Sequence, residues 1–520
     1  MNFLNRAIKN VTRVKSRSIL LMITFFILGN LVIVGLGVSQ AVADAKTETR
    51  KNMRAVVTYD IDYDAVYEYM NTLETYEEQN EFYRNIRITK EQVTNLVGSD
   101  ERVVAVNYLQ SVQLYDPDFE TIVLDNENTN SSGGGSVIFD DGTTATWMEP
   151  SLILKGNLFP NMIEFEEKSY TIVEGRMYSQ EEIDAGAHVV LVEQGLAELN
   201  GFKIGDRITV NIMQEAEFSY YGGSISKSDT ELELEIIGIY DNTQVLNPSD
   251  PDYEWMPSYF APENTLLVPT TTYIKSQIVI ERKIMDYYRQ EYPGETWYDR
   301  EITEEDLYFG SVVMLLRDPL EVEDFIADNQ DALSEFYQFN ANLDSFNKIA
   351  RPLDAMARFA GILVGIIVVN ALVIITLITA LTLKNREYEI GVLLAMGVSK
   401  VKVIGQMFIE LVIVGILGFT LAVASGAVIS GVIGDWMLEA QLSTELIEED
   451  SNNWSGWYGD ENYFTDVTAD EMFEQYKVSV KPVMIVWIYA GGLAVIFASV
   501  LIPGLMVMRY NPKQILTNVR

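Results

Sequence analysis

Few side chains in this 520-residue sequence are of the kinds that perform catalysis. It contains a single histidine, His188, and no cysteine. A histidine-based triad, a site with two histidine ligands and a thiolate metal site are therefore excluded for this chain alone. Because His188 precedes an apolar, strand-like run at 189–192, we expect it to have a structural role.

Nucleotide and metal sites are also not indicated. No segment matches the phosphate-binding pattern GxxxxGK[ST], so we do not expect the chain to hydrolyse ATP by that route. Asp125 and Glu127 suggest calcium, but Asn130 stands where a calcium loop needs glycine. A flexible surface loop over 125–136 is the favoured interpretation. The sequence thus predicts no enzyme and no cofactor or metal of its own.

The segment with a clear functional pattern is 385–399, NREYEIGVLLAMGVS. Its charged start, followed by small and apolar residues, suits a short helix docked in the groove of a partner. Gly391 and Gly397 would allow close approach. The alternative interpretation is an ordinary charged loop between two helices.

Four segments without any charged residue must position this loop. They span 19–38, 359–383, 411–434 and 482–508, and each has the roughly 20 apolar residues needed to cross a bilayer. The first resembles a cleaved signal peptide in its basic flank. Its apolar run is longer than a signal h-region, so a retained membrane helix is favoured.

The distribution of basic residues predicts the orientation. Lysine and arginine dominate the N-terminal segment, the loop from 384 to 402 and the tail from 509, which are therefore predicted to be cytoplasmic. Three of the 75 acidic residues, Glu387, Glu389 and Glu410, belong to the loop or to the start of the next span. All the other acidic residues are then predicted to lie outside the cell. This acidity, with a net charge of −38, disfavours binding of nucleic acid.

The predicted fold is a membrane α-helical protein with four transmembrane helices and a large mixed α/β extracytoplasmic domain on helical stalks. The predicted segments are a cytoplasmic amphipathic elbow helix 1–17, TM1 18–40, the core domain with stalks 41–350, TM2 359–383, a cytoplasmic coupling loop or helix 384–407, TM3 411–434, an extracellular loop 435–481, TM4 482–508 and a cytoplasmic tail 509–520.

Local patterns predict several elements of the outer domain. The stalks are predicted over 40–56 and 331–358, with Pro352 as a kink in the second. Thr89 and Gln92 form a capping-box signature. Residues 231–240, ELELEIIGIY, predict a half-buried strand with an acidic outer face.

The loop pattern resembles the permeases of the MacB and FtsX type, also called type VII ABC transporters. Leu394 stands where that family usually has a basic residue. Shorter similarities to MacB-like periplasmic domains occur at 174–176, 188–206, 237–239 and 268–269. The family pattern E-I-G-x-L-x-A-x-G-x-S is matched by Glu389, Ile390, Gly391, Leu393, Ala395, Gly397 and Ser399, and Glu410 matches the acid that begins the next span.

The resemblance implies a homodimer or heterodimer of permease chains, each bound to a separate cytoplasmic ABC ATPase that binds the ATP. Arg386 and the pattern residues would form the ATPase-coupling surface. ATP binding would move the outer domains through the stalks, so that substrate need not cross the bilayer. An adaptor or another extracytoplasmic protein is a further expected kind of partner.

Three further features have two interpretations each. Gly361 and Gly365 form a GxxxG pattern for helix association, or occur by chance in a glycine-rich span. Glu410 is interpreted as a charge at the start of a helix at the cytoplasmic interface, with a functional intramembrane acid as the alternative. The aromatic residues of loop 435–481 suggest a surface for a cationic amphipathic peptide, but a solubilising insert packed against the stalks is favoured. They are Trp454, Trp457, Tyr458, Tyr463 and Phe464.

The leading functional hypothesis is the permease subunit of an ABC transporter in a bacterial cell membrane, with a Gram-positive source favoured. It would serve export of, or resistance to, peptides or amphipathic compounds. The alternative is an FtsX-like signalling permease that regulates a cell-wall hydrolase or another outer protein. Lipoprotein extraction, as in Lol-type relatives, would require an outer membrane.

Overall fold

The structure is a computed structural model. It describes residues 9–509 except for 10, 14, 126–135, 139–143, 147, 222, 244–245, 247–252, 254–255, 296–297, 309–311, 332, 342 and 443–468. The described chain divides into two compact units. The helical unit contains the described residues up to Asn52 and from Leu343 onward, and the sheet unit those from Met53 to Ala341.

Helices dominate the first unit, and the second combines short helices with strands. The helices are α1 (Lys15–Asn52), α2 (Tyr63–Met70), α3 (Tyr76–Asn85), α4 (Lys90–Ser99), α5 (Ile163–Glu166), α6 (Gln180–Ala185), α7 (Gln194–Asn200), α8 (Glu215–Phe218), α9 (Lys227–Thr230), α10 (Thr270–Glu291), α11 (Val322–Gln330), α12 (Leu343–Asn385), α13 (Glu387–Ala395), α14 (Lys400–Leu442), α15 (Ala469–Gln475) and α16 (Pro482–Arg509). The strands are β1 (Val56–Ile61), β2 (Val103–Leu114), β3 (Ser136–Ile138), β4 (Thr144–Thr146), β5 (Leu152–Asn157), β6 (Tyr170–Gly175), β7 (Val189–Glu193), β8 (Arg207–Asn211), β9 (Glu231–Asn242), β10 (Thr265–Pro269), β11 (Val312–Leu316) and β12 (Tyr337–Asn340).

Four of the described helices, α1, α12, α14 and α16, are long and apolar enough to cross a bilayer. This confirms the predicted membrane-helical class. Helix α1 has 38 residues, which at 1.5 Å per residue is about 57 Å, against a hydrocarbon core of about 30 Å. Helices α12 and α14 have 43 residues each. These three helices therefore continue well beyond the length that a membrane requires.

Small residues bring α1 close to both of its long neighbours. A Cβ atom at Gly29 would lie 2.7 Å from Cβ of Ala422 on α14. One at Gly35 would lie 2.3 Å from Cγ2 of Val364 on α12. Neither distance is compatible with a side chain, so glycine at these positions sets the helix separation. Close approach of this kind is a main source of helix association in lipid, where apolar burial gives little.

The N-terminal part of α12 packs along the C-terminal part of α1. Ala45 and Leu353 are fully buried there, and Lys46 Nζ lies 3.1 Å from the Asp354 carboxylate. The Arg50 guanidinium lies 5.9 Å from the centre of the Phe346 ring. The paired extensions thus have an apolar seam with polar contacts along it.

The stalk boundaries differ from the prediction. Helix α1 ends at Asn52 instead of 56, and α12 begins at Leu343 instead of 331. Tyr337–Asn340 forms strand β12, which pairs antiparallel with β1 and places Phe339 opposite Tyr59. The backbone of this segment is thereby hydrogen-bonded to a sheet edge, which competes with helix formation. Pro352 lies inside α12.

The segment before the last span packs against α1. Met472 on α15 is fully buried, and a Cβ atom at Gly37 would lie 3.0 Å from Cγ1 of Val478. Lys481 Nζ lies 2.6 Å from the Asp44 carboxylate. Residues 469–481, the C-terminal end of loop 435–481, are therefore packed on α1, as expected for an insert against the stalks.

The sheet unit is built on a mixed ten-stranded sheet. Its strand order is β12-β1-β11-β2-β5-β10-β7-β9-β6, with β8 paired to β9, and β3 and β4 form a separate pair. β10 runs parallel to β5 and β7 parallel to β9, while the other pairs are antiparallel. This confirms the predicted mixed α/β class.

Two local predictions for this unit are confirmed. Thr89 and Gln92 make the reciprocal capping box at the start of α4. Residues 231–236 of β9 alternate between exposed glutamates and buried apolar residues. The buried ones join a large apolar core with Leu154, Val190 and Val192.

This core predicts the effect of a matched pair of substitutions. Val190 is fully buried on β7, whereas Val173 on β6 is 53% exposed. Val190→Ala removes two buried carbons and leaves a cavity, so we expect a loss of about 2 kcal/mol of unfolding free energy. Val173→Ala should change it by less than about 0.5 kcal/mol. Thermal unfolding of the purified full-length protein, followed by intrinsic fluorescence, measures both, and equal effects would contradict the assigned core.

Candidate functional site: the coupling helix and its buried ion cluster

Helix α13, the predicted coupling helix, is separated from α12 by one residue, Arg386. Its backbone N–H still donates to the carbonyls of Thr382 (3.2 Å) and Leu383 (3.1 Å). With φ −111° and ψ 17°, however, Arg386 leaves the helical conformation. The chain then re-enters a helix, and the carbonyl of Arg386 accepts from the N–H of Ile390 at 3.0 Å. The predicted short helix after the second span is therefore present.

Gly397 terminates α13 through its backbone conformation. Its φ of +87° lies in the left-handed region, where a side chain is strained. The N–H of Gly397 donates to Leu394 (3.1 Å) and that of Val398 to Leu393 (3.1 Å). These two bonds are a Schellman motif. The reversal that follows leads into α14, with Ser399 directly before its first residue.

Apolar packing holds α13 against the ends of three membrane helices. Ile390 of α13 contacts a cluster with Leu383 of α12, Met407 of α14 and Val507 of α16. Lys400 Nζ also donates to the carbonyl of Met508 at 2.7 Å. A cation at this position complements the C-terminal end of α16. Helix α13 is thus part of the helical unit and does not extend away from it.

A buried carboxylate, that of Glu410, connects α14 with two other elements. Its Oε2 lies 3.3 Å from Nη1 of Arg386 and 3.5 Å from Nη1 of Arg17 on α1. Its Oε1 accepts a hydrogen bond of 3.0 Å from Nε2 of Gln406. The Glu410 side chain is 4% exposed. Arg386 also donates from Nε to Glu389 at 3.1 Å.

The position of Glu410 corrects the sequence-based interpretation. We interpreted it as a charge at the start of a helix at the membrane interface, but it lies well inside α14 and is buried. A buried carboxylate costs several kcal/mol unless it is paired and hydrogen-bonded. Arg17 and Arg386 supply that pairing, so α1, α14 and the Arg386 turn are held by one charge cluster.

The predicted ATPase-coupling residues fall into two groups. Ile390 and Gly391 are buried, and Arg386 and Leu393 are half-buried, so these four stabilise the position of α13. The exposed members are Glu389, Ala395, Gly397 and Ser399. Three exposed apolar side chains beside them were missed by the sequence analysis: Tyr388 (58%), Met396 (67%) and Val401 (71%).

Other predicted site residues lie elsewhere. Gly361 and Gly365 are exposed on α12, and a Cβ atom at either would meet nothing within 4 Å in this chain. They do not mediate packing within the described helical unit, and association with a second chain stays a prediction. Trp454, Trp457, Tyr458, Tyr463 and Phe464 lie outside the described residues, as do Glu127, Asn130 and most of the predicted elbow helix.

His188 is exposed directly before β7, and its Nδ1 lies 3.0 Å from the carbonyl oxygen of Glu233. Within the described part of the chain, no group of three or more His, Asp or Glu side chains is placed to hold a metal ion.

Comparison with known families assigns these features. A family described as the MacB-like periplasmic core domain matches residues 31–328, more than half of the chain. The chain belongs to the MacB/FtsX type of ABC transporter permeases. The FtsX-like permease C-terminal family matches residues 361–512, which include α13 and Glu410. The protein is thus a membrane permease, and four of its described helices are apolar enough to cross a bilayer.

One relative is likewise described as an ABC transporter permease. The permease is 23% identical over 436 residues to the uncharacterized ABC transporter permease YclI of Bacillus subtilis (strain 168), covering 82% of this chain and 80% of that protein. Two solved structures are 10% identical to the permease and align over 55% of it, each with a TM-score of 0.25. They are the periplasmic region of MacB from Actinobacillus actinomycetemcomitans, of which 87% is covered, and the extracellular domain of the transporter YknZ from Gram-positive bacteria, of which 99% is covered.

Neutralising Glu410 should destabilise the permease. Glu410→Gln leaves Arg17 and Arg386 close together without their carboxylate, and breaking a buried pair in this way costs about 3–5 kcal/mol, less here because both arginines are partly exposed. We expect a clearly lower midpoint of thermal unfolding in detergent. Glu389→Gln, which removes the 66% exposed partner of the same arginine, should have little effect. Equal midpoints for the two variants would contradict the cluster's role.

The two glycines at 397 and 405 give a second matched test. Gly397→Ala places a side chain at φ +87° and should cost about 1–2 kcal/mol. Gly405 lies inside α14 with nothing within 4 Å of a built Cβ, so Gly405→Ala should be neutral or stabilising by up to about 1 kcal/mol. Thermal unfolding of both variants measures the difference, and a harmless Gly397→Ala would contradict the Schellman motif.

Proposed function

We propose that the permease transmits ATP binding by a separate ABC ATPase subunit to movement of the sheet unit. The observation that supports this most directly is the α13 surface. Exposed apolar side chains lie on α13 at Tyr388, directly after it at Met396 and at the start of α14 at Val401, and exposed Glu389 and Lys402 occur in the same segment. Tyrosine and methionine are enriched in protein interfaces, where apolar side chains surrounded by charge are typical. The ATP would be bound by the ATPase, because this sequence has no phosphate-binding loop.

The charge cluster connects this surface with the membrane helices. A force applied to α13 reaches the base of α1 through Arg386, Glu410 and Arg17. Helices move as rigid bodies when they are packed. Helix α1 continues without a break to Asn52, and the chain enters β1 only four residues later. We infer that α1 and α12 transmit the displacement to the sheet unit.

The proposed orientation follows the positive-inside rule. Both termini and α13 would be cytoplasmic, and the sheet unit would lie outside the cell membrane. A second permease chain would complete the transporter. The exposed face of α12 that includes Gly361, Gly365 and Val369 is our candidate for that contact, because small residues allow helices to approach closely in lipid.

We propose that the permease serves export of, or resistance to, cationic or amphipathic peptides. The strong acidity of the sheet unit supports this, since it would raise the local concentration of cations. A regulatory role like that of FtsX would instead require a stoichiometric outer protein partner. An outer partner recovered at equal amounts, without any effect of deletion on peptide tolerance, would favour that role.

The ATPase contact is testable by co-purification. We expect the double variant Tyr388→Ala/Met396→Ala to reduce recovery of a co-expressed partner ABC ATPase at least tenfold, because it removes the exposed apolar contacts without changing the buried cluster. The matched control is Trp436→Ala/Trp487→Ala, which removes two equally exposed aromatic side chains from α14 and α16. Undiminished ATPase recovery with the Tyr388/Met396 variant would contradict the proposed contact.

A further inference from the structure

Helix α3 of the sheet unit contains no buried residue. In α2, which precedes it, Val66 is the buried residue. Short helices are marginal in water, and most helical stability in proteins comes from an apolar face that is packed. A helix of ten residues in which no side chain is fully buried is therefore unusual within a folded domain. It leaves the question of what the outer face of this α2–α3 hairpin contacts.

The exposed side chains of the hairpin are mainly tyrosines. Tyr63 is 50% exposed, Tyr67 54%, Tyr76 73% and Tyr83 46%. We call these four residues the tyrosine face. The rings of Tyr63 and Tyr67 have centroids 6.5 Å apart. Burial raises the pKa of Tyr63, and electrostatic interaction with Tyr83 and Tyr67 raises it further.

Other residues hold the hairpin together, so the tyrosine face is not needed for that purpose. Phe82 packs against Tyr69 and Phe336, with centroid distances of 4.6 and 5.0 Å. Thr75 and Glu78 form a capping box at the start of α3. The four tyrosines thus leave large apolar surfaces exposed to water, although other residues stabilise the hairpin.

The charge around this face is strongly negative. Between 60 and 85 the sequence contains eight acidic residues and a single basic one, Arg84. Among the described ion pairs, none includes Glu68, Glu74, Glu77 or Glu81. The acids of this stretch are Asp60, Asp62, Asp64, Glu68, Glu74, Glu77, Glu78 and Glu81.

We propose that the tyrosine face is a docking surface for a cationic peptide segment that carries arginine or lysine between apolar residues. The faces of tyrosine rings attract guanidinium and ammonium groups, and the surrounding carboxylates favour the same charge. A second copy of this acidic hairpin and an anionic lipid surface would both be repelled. The inference rests on the proposed function, because it names the class of cargo and the place where the permease first holds it.

Binding of a defined peptide to the full-length permease tests this. The permease is placed in phosphatidylcholine nanodiscs, and a fluorescent twelve-residue peptide with four Arg-Leu-Gly repeats is titrated at low and physiological salt. Empty nanodiscs measure adsorption to lipid. A Glu-Leu-Gly peptide of equal length controls for charge. We expect saturable binding of the arginine peptide that weakens with salt, and none of the glutamate peptide.

Two sets of variants locate the site. The triple variant Tyr63→Ser/Tyr67→Ser/Tyr83→Ser should weaken binding at least tenfold, and Glu77→Gln/Glu81→Gln should weaken it severalfold and reduce the salt dependence. The control Tyr220→Ser/Tyr292→Ser removes two similarly exposed tyrosines of the same unit and should leave binding unchanged. An unchanged unfolding midpoint verifies that the triple variant is folded.

Several results would overturn the inference. They are equal binding of both peptides, equal effects of the two tyrosine variants, no effect of Glu77→Gln/Glu81→Gln, and binding to empty nanodiscs that matches binding to the permease. None of these affects ATPase co-purification. A permease that retains its ATPase but does not bind the arginine peptide at this face therefore refutes the docking surface and leaves the proposed coupling intact.

Discussion

The contact on which the helical unit depends is the buried carboxylate of Glu410 between two arginines. A charge removed from water is tolerated only where opposite charges and hydrogen bonds replace the solvent. Arg17 is near the start of α1 and Arg386 lies in the turn before α13, so one side chain of α14 fixes the positions of both. The short helix after the second span thereby becomes a rigid part of the bundle. Without this cluster, the apolar packing around Ile390 would have to hold the short helix in place.

A second constraint is the length of the helices compared with the membrane. Helices α1 and α12 exceed the span of a bilayer core by many residues, and their extensions pack on each other through Ala45, Phe346 and Leu353. The insert at 469–481 is bound to the same part of α1, with Lys481 paired to Asp44. A helix that is fixed near its start by Arg17 and supported along its extension is well suited to move as one body.

Much of the fold could be predicted because membrane helices and half-buried strands have strong sequence patterns. The four apolar segments, the Thr89 capping box and the alternation of β9 are examples.

The pairing of Glu410 could not be predicted, because Arg17 is distant in sequence and only the fold brings them together. Gly397 was interpreted as a point of close approach, whereas its positive φ terminates a helix. Strand β12 was missed since its role depends on pairing with β1. The tyrosine face had a visible signal, four tyrosines among acids at 63–83, which is informative only once α3 is known to contain no fully buried residue.

The central claim is that Glu410 holds α13 rigidly to α1. Since the chain has no cysteine, spin labels can be attached to Tyr388→Cys on α13 and Ile19→Cys on α1, both at exposed positions, and their separation measured by pulsed dipolar spectroscopy in nanodiscs. We predict one narrow distance distribution, which becomes broad when Glu410→Gln is added. A distribution that stays equally narrow with Glu410→Gln would show that other contacts position α13, and would contradict the account.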